Sequence, residues 1–400
     1  MLLAQPALTD VPPDRIAPPP KLLFLVTEDW YFCSHRLSVA RAARDAGFEV
    51  VVATRVRERG EQILSEGFRL HPLGWRRRGD GVFGAGRALA EIARLYRAER
   101  PHIVHHVALK PVLFGALAAR LAFPQGSGPL RVAAVTGLGS GLRPARFFAR
   151  LRQPVLRSAL RFAARGGPVI VQNPEDGAAL IGLGVDPAQI ALIRGSGVDT
   201  VHFAPQPDPR NSSIIVAFVG RMLRSKGVLD AAAAVRSLRA RGLAIELILA
   251  GPTDPDNPDS LDEAALRAIA AEPGIEWLGH VHDVREVWRR AVIAIFPSTY
   301  GEGVPKALLE AAACARPIVA TDMPGCREVV RSGETGLLVP PHDIAALAEA
   351  LAALAGDPAR RQTMGAAVRA LVEREFGEAV VAEQTLALYS VLLAENRHGR

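Results

Sequence analysis

Short, wholly apolar runs punctuate the first half of the chain: Leu22–Val26, Val50–Ala53, Ile103–Val104, Val132–Val135 and Val169–Val171. Between them, apolar residues recur every three or four positions. Runs of this kind are what parallel strands buried on both faces look like, and the intervening 3.6-residue period predicts the helices that cover them. A parallel α/β domain is therefore predicted from residue 21 to 198. From Asp199 to Ser213 the periodicity stops and three prolines accumulate, which predicts a linker. The pattern then restarts with Ile214–Val219, Ala244–Leu249, Val292–Ser298 and Pro317–Ala320, giving a second domain over 214–377. The expectation is two doubly wound, Rossmann-like domains facing across a cleft, with ligand at the strand C-termini.

Composition narrows this picture. A chain of 400 residues, 49% hydrophobic, can bury the cores of two domains. Cys33, Cys314 and Cys326 form neither a zinc spacing nor a disulfide framework, which points to a reducing compartment. The proline-rich residues 1–20 read as a disordered leader without signal-peptide character, and no apolar run reaches the ~18 residues of a membrane span. A cytoplasmic protein is expected. The net charge of +7 is unevenly divided: residues 1–199 hold 27 basic against 16 acidic residues, the remainder 21 against 25. A basic half beside a mildly acidic one predicts that the first domain faces an anionic partner.

The most specific chemistry lies after the strand Val292–Ser298. Tyr300-Gly-Glu302-Gly303-Val304-Pro305-Lys-Ala-Leu-Leu-Glu310 places two carboxylates eight residues apart around a helix start. Pro305 suits the first helical position, so the helix is predicted to begin near Gly303, and free N–H groups at such a terminus cradle phosphates. A carboxylate at Glu302 beside that anion has one evident use, accepting hydrogen bonds from sugar hydroxyls. After the first strand of the second domain, Gly220-Arg221-Met-Leu-Arg-Ser-Lys226-Gly227 supplies two cations that could neutralise a diphosphate, or could simply form a solvated loop. Lysine usage favours the first reading. Only Lys21, Lys110, Lys226 and Lys306 occur, and three of them fall in segments singled out on other grounds.

Together, Gly220-Arg-x4-Lys226-Gly and Glu302-Gly-Val-Pro-x4-Glu310-Ala-Ala resemble the donor-site signature of glycosyltransferase family 4, retaining enzymes of the GT-B fold. The similarity runs over nearly the whole chain past residue 20. It implies that Arg221 and Lys226 bind a nucleotide diphosphate, that Glu302 contacts the transferred sugar, that Gly303, Val304 and Pro305 line phosphate or sugar, and that Glu310 holds the ribose. It also implies that a C-terminal helix, about 378–400, crosses back onto the first domain. A histidine lining the donor sugar is implied near His105 and His106, although relatives place it where this chain has Val107. A core histidine bonded to backbone is the alternative for either residue.

The loop Thr27–Arg36 lacks glycine, which argues against a dinucleotide fingerprint at the first turn. Trp30, Tyr31 and Phe32 read either as a hydrophobic plug or as an acceptor platform. Ser34, at a predicted helix N-cap, and His35 are acceptor-binding candidates, as is Lys110 at the next helix start. By the same resemblance Gly137 and Gly139 form an acceptor loop. Arg143, Arg146 and Arg150, interleaved with Phe147 and Phe148 and without an intervening acid, read as a basic amphipathic element on an anionic membrane surface, with a solvated helix face as the bland alternative. Asp254-Pro-Asp256 is read as a loop, and no metal or other cofactor is expected, because the cationic pair already meets the diphosphate.

The resulting expectation is a transferase moving a hexose or N-acetylhexosamine from a nucleotide sugar, UDP-sugar favoured, to a polyprenyl-diphosphate-linked sugar. The chain looks like the branch that acts on undecaprenyl-diphosphate-linked bacillosamine, peripheral on the inner face of the plasma membrane. The rivals are a nucleotide-sugar 2-epimerase on the same fold and a nucleic-acid-binding protein with a nucleotide sensor. The phenylalanines sit at helical spacing and do not interleave as base-stacking aromatics would, so no nucleic-acid partner is expected.

Overall fold

The computed structural model describes residues 18–75, 81–124, 128–137, 157–205, 207–209 and 213–398. The first sheet contains β1 (Lys21–Glu28), β2 (Glu49–Arg55), β3 (Arg69–Pro72), β4 (Ile103–Val107), β5 (Leu130–Val135), β6 (Val169–Val171) and β7 (Ile190–Leu192) in the order β3-β2-β1-β4-β5-β6-β7. The second contains β8 (Ile214–Val219), β9 (Ile245–Ala250), β10 (Ile275–Trp277), β11 (Ile293–Phe296), β12 (Ile318–Thr321) and β13 (Gly336–Val339) in the order β10-β9-β8-β11-β12-β13. Every strand pair is parallel. The strand order reverses between β1 and β4 in one sheet and between β8 and β11 in the other. Such switch points, outside the strand C-termini, are where open parallel sheets bind their ligands.

The apolar runs are unbroken because each sheet is covered on both faces. In β8, Val216 and Phe218 enter one core while Ile215, Ala217 and Val219 enter another. In β1, Leu22, Phe24 and Val26 face one layer and Leu23 and Leu25 the other. The chain passes between domains twice, side by side: Val198 N–H donates to Phe376 O, and Glu378 N–H donates to Val198 O. The last helix, Glu378–His398, then lies on the first domain, with Val381 and Tyr389 inside its core.

The segment after β1 departs from the sequence expectation. Thr27 and Glu28 extend the strand, and Asp29–His35 is a helix, followed at once by helix Leu37–Asp45. Ser34 therefore sits in the last turn of a helix and is not an N-cap; Arg36 takes the cap position of the second helix. The order is imposed from outside the segment. The buried Asp29 carboxylate accepts the backbone N–H groups of Arg57, Glu58 and Arg59 at 2.7, 2.9 and 2.8 Å, fixing the helix start against a distant loop.

Candidate active site

The second domain's half of the candidate site forms where β8 and β11 diverge. The loop leaving β8 turns sharply at Gly227, whose φ of +75° and whose missing Cβ, which would stand 2.1 Å from Pro297 O, both require glycine. Thr299 N–H donates to Ser225 O at 2.8 Å, stapling this loop to the segment after β11. The result brings Lys226 Nζ to 2.9 Å from the Glu302 carboxylate. Lys226 also lies over the Phe296 ring, 5.3 Å from its centroid. Arg221 is paired with Asp254, while Asp259 accepts from Ser225 N–H at 3.0 Å and Asp256 reaches Arg57 of the first domain at 2.9 Å. The acidic loop thus engages basic and amide groups around the cationic turn.

The helix after Glu302 begins later than its sequence suggests. Pro305 is the N-cap, with φ −68° and ψ 129°, and the helix runs Lys306–Ala313. Glu310 consequently stands just past the first turn. Burial pushes its carboxyl up to about 7, with Glu378 adding to the rise and Lys306 opposing it. The two N–H groups expected to cradle phosphate are already engaged by the first domain: Gly303 donates to Thr136 O at 3.3 Å and Val304 to Gln172 Oε1 at 3.0 Å. Here the expectation of a free phosphate cradle at Gly303 and Val304 is corrected, because the facing domain supplies their acceptors.

Across the cleft, Lys306 donates to the Ser34 carbonyl. His35 stacks on Tyr31 with ring centroids 4.0 Å apart, and its imidazole is held well below its ordinary pKa by burial and by the charges of Lys306 and Arg36. Ser34 and His35 therefore stand at the cleft beside the helix Lys306–Ala313. Gly137 is there too, directly against Gly303. Lys110 lies apart from this contact, over the rings of Trp75 and Phe114 at 5.3 and 5.6 Å. Gly139, Arg143, Arg146, Phe147, Phe148 and Arg150 lie outside the described residues.

His105 and His106 are a correction. Both are 1% exposed, inside β4 and not at its end. His105 Nδ1 pairs with the Tyr389 hydroxyl at 2.5 Å, and His106 Nε2 with the Tyr96 hydroxyl at 2.9 Å. Burial depresses both, His106 to about 3. Neutral and enclosed, they serve the first domain's core, with tyrosine rather than backbone as partner. Sequence reading missed Gln172 and Lys306 as cleft residues. Only Lys306 carried a signal, as one of the chain's four lysines.

Two parallel Rossmann-like domains with a basic and carboxylate site at the second switch point make up the GT-B arrangement. The family model Glycosyl transferases group 1 matches residues 213–357, and Glycosyl transferase 4-like matches 21–164. The two domains of the chain are thus similar, one each, to two glycosyltransferase family models. The chain is 36% identical over 225 residues to the alpha-maltose-1-phosphate synthase of Mycolicibacterium smegmatis, covering 51% of this chain and 57% of that protein. It is 27% identical over 186 residues to the capsular polysaccharide biosynthesis glycosyltransferase CapM of Staphylococcus aureus, covering 46% and 48%. The matched stretch thus spans about half the length of these relatives. Among solved structures, Anabaena HepE in complex with UDP and glucose superposes with a TM-score of 0.75 at 19% identity, covering 93% of this chain and 99% of that one. Sucrose-phosphate synthase from Thermosynechococcus elongatus gives 0.76 at 23% identity, covering 94% and 100%. These likenesses establish the fold.

Proposed function

We propose that the enzyme transfers a hexose or N-acetylhexosamine, with retention, from a UDP-sugar to a polyprenyl-diphosphate-linked sugar in surface polysaccharide or glycan assembly. The observation that carries the donor side is the Lys226–Glu302 pair at the β8/β11 switch point, facing the first domain. Lysine and Arg221 would meet the diphosphate without a metal, leaving Glu302 to accept from sugar hydroxyls. The anomeric C–O bond to the departing phosphate breaks while the acceptor oxygen bonds on the same face. The acceptor proton passes to the phosphate oxygen that leaves. Cations aimed at that developing charge supply the stabilisation, and domain closure keeps water out.

The acceptor side rests on charge and resemblance. The excess of basic residues in positions 1–199, with the arginine and phenylalanine segment at 143–150, suits an anionic membrane surface where a lipid-linked sugar resides. No helix among the described residues is long and apolar enough to cross a membrane. CapM, by its name, works in capsular polysaccharide biosynthesis, and HepE binds UDP and glucose, which supports this choice of pathway class and donor. The test is turnover of a nucleotide-sugar panel with a polyprenyl-diphosphate sugar, beside flotation on anionic liposomes with a competing oligonucleotide. Transfer from UDP-sugar and flotation are expected. Epimerised free sugar without transfer, or binding to the oligonucleotide alone, would replace this reading with one of its rivals.

Glu310 gives the site a pH dependence. A carboxyl lifted to about 7 is largely protonated at pH 6 and ionised at pH 8. Ribose hydroxyls donate best to the ionised form, so nucleotide affinity should rise several-fold across that interval. In Glu310→Gln the rise should vanish, as calorimetric titration with UDP at both pH values would show. For folding the sign is opposite. The raised pKa favours the fold below the unfolded value of 4.5, and that advantage is lost as pH rises through about 7.

A further inference from the structure

Side chains link the two domains at Lys306–Ser34 and Arg57–Asp256, but behind Glu302 the domains meet backbone to backbone, with the Gln172 amide added to that contact. A Cβ on Gly303 would lie 1.8 Å from Gln172 Oε1; one on Gly137, whose φ is +113°, would lie 2.6 Å from Gly303 N; one on Gly325 would lie 1.8 Å from Gly303 O. The Glu302–Gly303 backbone is thus sandwiched between the first domain and the turn after β12, at a spacing only glycine permits. Gln172 is 4% exposed and directly follows β6. Its successor Asn173 caps helix Pro174–Gly182 by accepting from Asp176 N–H at 2.7 Å. Strand and capped helix hold Gln172 rigidly from both sides.

We propose that Gln172 is a positioning residue for glycosyl transfer: it fixes the Glu302 carboxylate through the Gly303–Val304 backbone, and only when the first domain is seated on the second. The need for such a residue follows from the partners of Glu302. Its carboxylate has Lys226 at 2.9 Å and Ser298 Oγ at the outer limit of 3.5 Å. On the donor reading above, on which this inference rests, Lys226 turns to the diphosphate when the donor binds. Glu302 then keeps its aim through its backbone, which the Val304 N–H bond to Gln172 holds together with the longer Gly303 N–H bond to Thr136 O. A neutral amide does this without placing a second negative charge beside Glu302.

Gln172→Met removes the acceptor at similar volume and leaves a buried N–H unsatisfied, so kcat should fall about tenfold or more. Because the donor binds the second domain, the Kd for UDP should stay within about twofold, which also shows the variant to be folded. Gly137→Ala should lower kcat in the same way without touching Gln172. Gln172→Glu keeps the oxygen: it should approach wild-type kcat at low pH, where its carboxyl is neutral, and lose it as pH rises, a limb absent from the wild type. Wild-type kcat in Gln172→Met would overturn the proposal, as would equal losses in kcat, UDP affinity and melting temperature, which mark a merely structural residue. A wild type that binds no UDP refutes the donor reading instead. In that case small-angle scattering without nucleotide still decides the closure role, with a larger radius of gyration in Gln172→Met and Gly137→Ala expected and an unchanged one against it.

Discussion

Replacing Lys226 with alanine is expected to lower kcat/KM by two to three orders of magnitude, the scale lost when one preorganised charge donor is removed from a developing anion. The side chain is 11% exposed, and its Nζ sits beside Glu302 and over Phe296, a low-dielectric setting that strengthens its hold on phosphate. Lys226→Arg should not restore activity. The turn at Gly227 fixes where the side chain starts, and a planar, longer guanidinium cannot occupy the place of a compact ammonium. The checks are steady-state kinetics at saturating acceptor and the Kd for UDP, both of which should deteriorate. Transfer at the wild-type rate in Lys226→Ala would remove this residue from the donor site.

Glu302→Gln should separate binding from chemistry. The amide keeps length and one acceptor oxygen but removes the charge, so kcat is expected to fall about a hundredfold. UDP affinity should hold or improve, because Lys226 is released from its 2.9 Å partner and no longer divides its charge between protein and phosphate. A structural defect would weaken both quantities together. Calorimetry with UDP beside turnover measurements distinguishes these outcomes, and an unaltered kcat would show that the carboxylate is not used on the sugar.

Much of the second domain's half of the candidate site was legible in the sequence because its determinants are local. The strand before Gly220 and the strand before Ser298 announce themselves by unbroken apolar runs, and Gly227, Gly303 and Pro305 mark the turns that follow. Arg221, Lys226, Glu302 and Glu310 could be named from position within those turns. The helix was expected near Gly303 and begins at Lys306, with Pro305 as its N-cap and not its first helical residue, a choice that only the backbone geometry makes. The loop after β1 read as irregular because its helix is set by Asp29 accepting from residues nearly thirty positions away.

The histidines show the other side of the same limit. Nothing in Ile103-Val-His-His-Val says which way a ring points, and a strand in a two-faced parallel sheet buries both. By itself the sequence determined two parallel α/β domains, and it identified the cationic and carboxylate residues at the second domain's strand ends, because period and turn chemistry are written over a few consecutive residues. Only the tertiary structure decided that His105 belongs to Tyr389, 284 residues away, and that Val304 belongs to Gln172, 132 residues away. Those pairings depend on how two sheets and a returning helix pack in space, and no short stretch of chain carries that information.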